Sequence, residues 1–132
     1  MKENKIESNL DVDRSLSEMD FNYISMKTNQ ELCKIVGVFL DNAIQAVNDL
    51  KKKKIDIYLK YENDELYIKV SNNYKGVIQL DKIDNNGYTT KGKGHGYGLS
   101  LVKSIIRSNG NFINDREIRS KMFSQIIRLK VK

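Results

Sequence analysis

The chain has 132 residues, a net charge of +6, 39% hydrophobic and 30% charged residues, the profile of one soluble globular domain able to bury about two thirds of its unfolded surface. No apolar run approaches the roughly 18 residues of a membrane span, and the Met-Lys-Glu-Asn start is too polar for a signal peptide. The single cysteine, Cys33, excludes an internal disulfide and points to a reducing compartment; its apolar helical surroundings predict a buried core thiol. Positive charge favours an anionic partner. The only dense basic run, Lys51 to Lys54, follows an amphipathic segment and reads as a solvated helix end rather than a nucleic-acid patch.

Residues 1–27 are polar and weakly patterned, with Lys5 to Val12 a candidate strand followed by a connecting loop. No linker, repeat or low-complexity block divides the chain, so one domain over residues 1–132 is expected. Thr28 and Glu31 form a Thr-x-x-Glu capping box. After it Leu32, Ile35, Val36, Phe39, Ala43, Ala46, Val47 and Leu50 recur on one face of a helix. Glu31, Val38, Asn42, Gln45 and Asp49 form a stripe along one flank of that face. Buried amides need partners, so the stripe either caps neighbouring backbone or lines a polar site.

Two strands follow, Ile55 to Tyr61 and Leu66 to Ser71, alternating apolar and polar around a turn at Glu62 to Glu65. The period of two turns Asn72 toward the core beside Val70, where an amide is either structurally satisfied or a ligand contact. Asn73 to Gly76 reads as a turn, and VIQLDKI as a short helix or irregular segment. Five of the eight glycines, Gly87, Gly92, Gly94, Gly96 and Gly98, fall within twelve residues, and Leu99, Val102, Ile105 and Ile106 then recur at helical spacing. Such a run is either an ordinary flexible loop or a phosphate cradle. Glycine lets backbone N–H groups approach a ligand, the helix start adds partial positive charge, and Lys91 and Lys93 add cations. Gly110 is a plausible C-cap, and strands at Asn111 to Asp115 and Phe123 to Val131 close the domain, the latter with Ile127, Leu129 and Val131 inward. The order predicts an α/β two-layer sandwich: a mixed, mostly antiparallel sheet with helices on one face.

Taken together, three pieces resemble the GHKL ATPase superfamily and its Bergerat ATP-binding fold. Leu40-Asp41-Asn42-Ala43-Ile44-Gln45-Ala46 is similar to the asparagine box of sensor histidine kinases. Val70-Ser71-Asn72-Asn73-Tyr74-Lys75-Gly76 lies where the first glycine box belongs. Thr89-Thr90-Lys91 with Gly94-His95-Gly96-Tyr97-Gly98-Leu99-Ser100 resembles the ATP lid and second glycine box. The resemblance implies ATP and Mg²⁺ as cofactors, with Asn42 as metal ligand through its amide oxygen, which suits a cation that prefers oxygen donors. It implies phosphate contacts from the backbone of Gly94, Gly96, Gly98 and Leu99, with Lys91 as lid cation and His95 contributing mainly backbone. Gln45, Asn72 and Gly76 complete the nucleotide-binding set.

Two departures shape the implied chemistry. Asn72 stands where the family carries an adenine-reading aspartate; an amide oxygen is a weaker acceptor than a carboxylate, so weaker nucleotide binding is expected. Val38 stands where hydrolytic members carry a water-activating glutamate. Valine takes no proton, which argues against a hydrolase and for transfer to histidine, whose nitrogen brings its own lone pair. The expected activity is therefore that of the catalytic domain of a sensor histidine kinase. His95, the only histidine, is in the lid, so the acceptor belongs to a dimerisation domain outside the chain and the domain alone does not autophosphorylate. A response regulator is the implied downstream partner, in a cytoplasmic domain of a membrane-bound sensor that touches neither nucleic acid nor the membrane. The motifs look most like the AgrC-type branch that senses peptide signals. The alternatives are a nucleotide-sensing or partner-binding module without transferase activity, and an anti-sigma-type serine kinase, for which Val38 supplies no base.

Overall fold

The computed structural model describes residues 5–76 and 96–131, with Gly96 and Tyr97 described through their backbone only. Strand β1 (Ile6–Val12) is followed by two 3-10 turns, Arg14–Glu18 and Phe21–Tyr23, and by helix α1 (Met26–Val47). Strands β2 (Lys53–Glu62) and β3 (Glu65–Asn73), helix α2 (Gly96–Ser108), and strands β4 (Phe112–Arg119) and β5 (Met122–Lys130) complete the described elements. The five strands form one sheet in the order β1-β2-β3-β5-β4. β1 runs parallel to β2, and every other neighbouring pair is antiparallel. The expected two-layer α/β architecture is the one observed.

Alternation sets the core. Leu66, Ile68 and Val70 of β3 face α1, which returns Leu32, Ile35, Phe39, Ala43 and Val47. Phe112, Ile127 and Leu129 extend this layer, and Val102 and Ile105 of α2 close it. Ile35, Phe39, Val47, Val70, Val102, Ile127 and Leu129 are almost fully enclosed, and burial of a side chain that size contributes about 1.5–3 kcal/mol. On the opposite face, Tyr58 and Tyr67 meet edge to face at 6.1 Å, with Lys60 4.8 Å above the Tyr67 ring. Both hairpins turn through two residues at positive φ, Asn63 and Asp64 (56° and 61°) and Ser120 and Lys121 (54° and 64°), as tight loops between right-twisted strands require.

Four local expectations are corrected. Helix α1 begins before Thr28: Ser25 is its N-cap and accepts the Thr28 backbone N–H at 3.1 Å. Thr28 and Glu31 instead both receive the Asn109 amide, at 3.3 and 3.0 Å. Cys33 is exposed, because it projects from the side of α1 away from the buried stripe. Gly110 is not a left-handed cap, since Gly76 is the only described glycine at positive φ. The exit of α2 is closed instead by Asn109, whose N–H bonds Ile105 O at 2.9 Å and whose Oδ1 accepts Asn111 N–H at 3.1 Å.

The basic run after α1 is the fourth correction. Lys53 is only 8% exposed, and its ammonium donates to the carbonyls of Val47, at 3.2 Å, and Asn48. Both carbonyls lie at the end of α1, where Val47 O also accepts the Leu50 N–H at 2.9 Å and where a cation complements the helix dipole. Lys53→Met keeps the apolar stem and removes both bonds, so chemical denaturation is expected to show a loss of about 1–3 kcal/mol.

Candidate functional site

Helices α1 and α2 pack antiparallel, as two widely spaced contacts show. Near the C-terminus of α2, Asn109 bonds Thr28 and Glu31 of α1. Near its N-terminus, Gly98 lies against Val38. A Cβ built on Gly98 would come within 2.9 Å of Val38 Cγ1. Continuing one turn along α1 from Val38 reaches Asn42, and because α2 runs antiparallel its start, two residues before Gly98, is directed toward that turn, given a rise of about 5.4 Å per turn. The stripe predicted along the flank of α1 is thus the flank facing α2. Asn42 and Gln45 on it are half-buried.

The electrostatics follow from the helix start. The first N–H groups of α2 have no intrahelical partner, and no acidic residue occupies its first turn, whereas Arg107 lies in its last. Among the described residues no carboxylate therefore offsets the partial positive charge at the start of α2, which suits phosphate.

Asn72 forms the second part of the site. It lies at the end of β3, 4% exposed, between Ile55 of β2 and Phe123 of β5 on the helix-facing side. Its Nδ2 donates to Asn73 O at 2.9 Å, and its Oδ1 receives no hydrogen bond from the described residues. With its amide nitrogen engaged, Asn72 has its Oδ1 as the group left to accept a donor from a ligand. Three devices hold it there. Asn73 clamps β3 to the start of β2, accepting Lys54 N–H and donating to Lys52 O, both at 2.9 Å. Ser71 and Ser124, on the opposite face, share a 2.6 Å hydroxyl contact that ties β3 to β5. Gly76 has φ +89°, a conformation that glycine adopts without strain.

The family follows from a direct match. The GHKL domain model matches residues 27–130. The chain belongs to the GHKL domain family. Over 84 residues it is 32% identical to the sensor protein CitS of Bacillus subtilis, covering 62% of this chain and 16% of that protein. Over 100 residues it is 29% identical to the sensor histidine kinase DcuS of Escherichia coli K12, covering 72% and 18%. The chain thus spans less than a fifth of the length of these relatives. The nucleotide-free catalytic domain of histidine kinase ThkA superposes with a TM-score of 0.73 at 20% identity, covering 96% of this chain and 79% of that one. ThkA in complex with the response regulator protein TrrA gives 0.72 at 18% identity, covering 96% and 34%. At that identity the superpositions establish a shared fold.

Within this GHKL frame Asn42 and Gln45 lie on the flank of α1 one and two turns past Val38, and Gly96, Gly98 and Leu99 lie in the first turn of α2, whose Gly98 meets Val38. Asn72 and Gly76 come from the end of β3. Lys91, Gly94 and His95 lie outside the described residues. Among the described residues no group of three His, Cys, Asp or Glu side chains could hold a metal. A divalent ion here would take one oxygen from Asn42 and the rest from phosphate and water, the arrangement Mg²⁺ favours, so the donor set fits. No helix among the described residues is long and apolar enough to cross a membrane.

Sequence reasoning passed over Asn73, Lys53 and Asn109, which touch the ends of the elements carrying the site rather than a ligand. Two consecutive asparagines ending a strand were the one available signal for the Asn73 clamp.

Proposed function

We propose that this chain is the catalytic, ATP-binding domain of a two-component sensor histidine kinase. In the reaction the bond between the γ-phosphorus and the β–γ bridging oxygen of Mg·ATP breaks. A new bond forms from that phosphorus to a histidine nitrogen of the dimerisation domain, and ADP leaves. The observation that supports the proposal is the packing of Gly98 in the first turn of α2 against Val38, one turn before Asn42 on α1, with Asn72 4% exposed at the end of β3. Asn42 would hold Mg²⁺, the α2 start the phosphates, and Asn72 the adenine N6 amine. Val38, beside Asn42, offers no base, consistent with transfer to an acceptor that needs none.

The parent protein is proposed to be a membrane-bound sensor with this domain on the cytoplasmic side, signalling to a response regulator. The ThkA complex with a response regulator supports that partnership. Val38, Asn72 and Thr89-Thr90-Lys91 support a place in the AgrC-type, peptide-sensing branch.

The test is transfer in trans. With a histidine-bearing dimerisation fragment and Mg·ATP, the acceptor becomes labelled on histidine. Clear ATP binding with no transfer to any such fragment would support the module without transferase activity instead.

A further inference from the structure

We infer that Val38 is a positioning residue for the nucleotide site: its side chain, met by the absent side chain of Gly98, sets how closely the first turn of α2 approaches Asn42. The inference rests on the nucleotide reading of the α1–α2 seam given above.

The geometry assigns Gly98 a role apart from phosphate approach. Gly98 lies within α2 and has no positive φ that would require glycine. What requires it is space. A Cβ there would stand 2.9 Å from Val38 Cγ1 and 3.6 Å from Cγ2, and the nearest atoms it would meet all belong to Val38. Val38 cannot turn aside easily, because a β-branched residue in a helix has one strongly preferred rotamer. A methyl at position 98 therefore pushes α2 away from α1. The other end of α2 is tethered by Asn109 to Thr28 and Glu31, so the displacement is greatest at the N-terminal turn, beside Asn42. Misplacement by less than an ångström is enough to weaken interactions that depend on aligned donors.

The same distances specify a rescue. Val38 Cβ lies 3.8 Å from the position of a Gly98 Cβ, ordinary van der Waals contact. Val38→Ala removes both γ-methyls, and Gly98→Ala then places one methyl in the space they leave. The double variant should restore the helix spacing with the methyl moved from α1 to α2.

The experiment is calorimetric titration with a non-hydrolysable ATP analogue and Mg²⁺ on wild type, Gly98→Ala, Val38→Ala and the double variant, each well below its melting temperature. Gly98→Ala is expected to weaken binding about 10-fold or more, and the double variant to return within about threefold of wild type, a coupling of the size seen for residues in contact. A merely structural contact would lower the melting temperature and leave the Kd of the folded protein unchanged. That result, or single-variant effects that simply add, would overturn the inference. So would a double variant that fails to fold. Wild type that binds no nucleotide would overturn the nucleotide reading itself and this inference with it, whereas wild-type binding without rescue would overturn the inference alone.

Discussion

Replacing Asn42 by alanine is expected to cut Mg·ATP-dependent transfer to a histidine-bearing fragment about 100-fold or more while leaving the fold intact, because the described site offers the metal a single protein oxygen. The remaining coordination would come from phosphate and water, and among the described residues no cluster of carboxylates stands ready to hold the ion instead. The fold should tolerate the change. Asn42 is half-buried on a helix, and alanine is the better helix former, so denaturation should place the variant within about 0.5 kcal/mol of wild type. A variant that transfers at the wild-type rate would remove Asn42 from the metal site, whereas a variant that unfolds would mark it as structural.

Asn72→Asp is expected to move stability and affinity in opposite directions. The Nδ2 that donates to Asn73 O at 2.9 Å becomes an acceptor facing an acceptor, in a position only 4% exposed. Loss of that bond with burial of a carboxylate should cost about 2–4 kcal/mol in the nucleotide-free protein. With adenine bound, the carboxylate accepts the N6 amine more strongly than an amide does, so affinity for the ATP analogue should rise about 5–10-fold. Because the wild-type Nδ2 is already engaged by Asn73, Asn72 presents an acceptor to the base and disfavours guanine, whose equivalent group is a carbonyl oxygen. Thermal melts and parallel titrations with adenine and guanine nucleotides read all three effects. Unchanged adenine affinity together with the expected destabilisation would make Asn72 a structural amide.

The legible parts of the fold were those governed by periodicity. The apolar stripe of α1, the two-residue alternation through Ile55 to Val70 and the inward set Ile127, Leu129 and Val131 all report which face is buried, and burial decides those positions. Asn72 was legible for the same reason, as a polar residue on a buried phase. The failures share a different cause. Ser25, Lys53 and Asn109 act through hydrogen bonds between elements that only the tertiary arrangement brings together. Lys53 looked like one lysine among four, yet it alone turns back onto the carbonyls of Val47 and Asn48. Thr28 and Glu31 fit a capping box locally, but α1 starts a turn earlier and releases both side chains for Asn109. Cys33 follows Leu32 in sequence but lies off the buried arc. The glycine-rich context of Gly98 pointed to phosphate approach; its packing against Val38, sixty residues away, had no signal in the sequence.

The measurement that tests the central claim most directly is calorimetric titration of the chain with ADP and a non-hydrolysable ATP analogue, with and without Mg²⁺. Saturable binding of one nucleotide per chain is expected, strengthened by Mg²⁺ for the triphosphate, with that strengthening abolished by Asn42→Ala. Absence of binding at millimolar nucleotide, or binding indifferent to both Mg²⁺ and Asn42, would contradict a nucleotide site built on the α1–α2 seam.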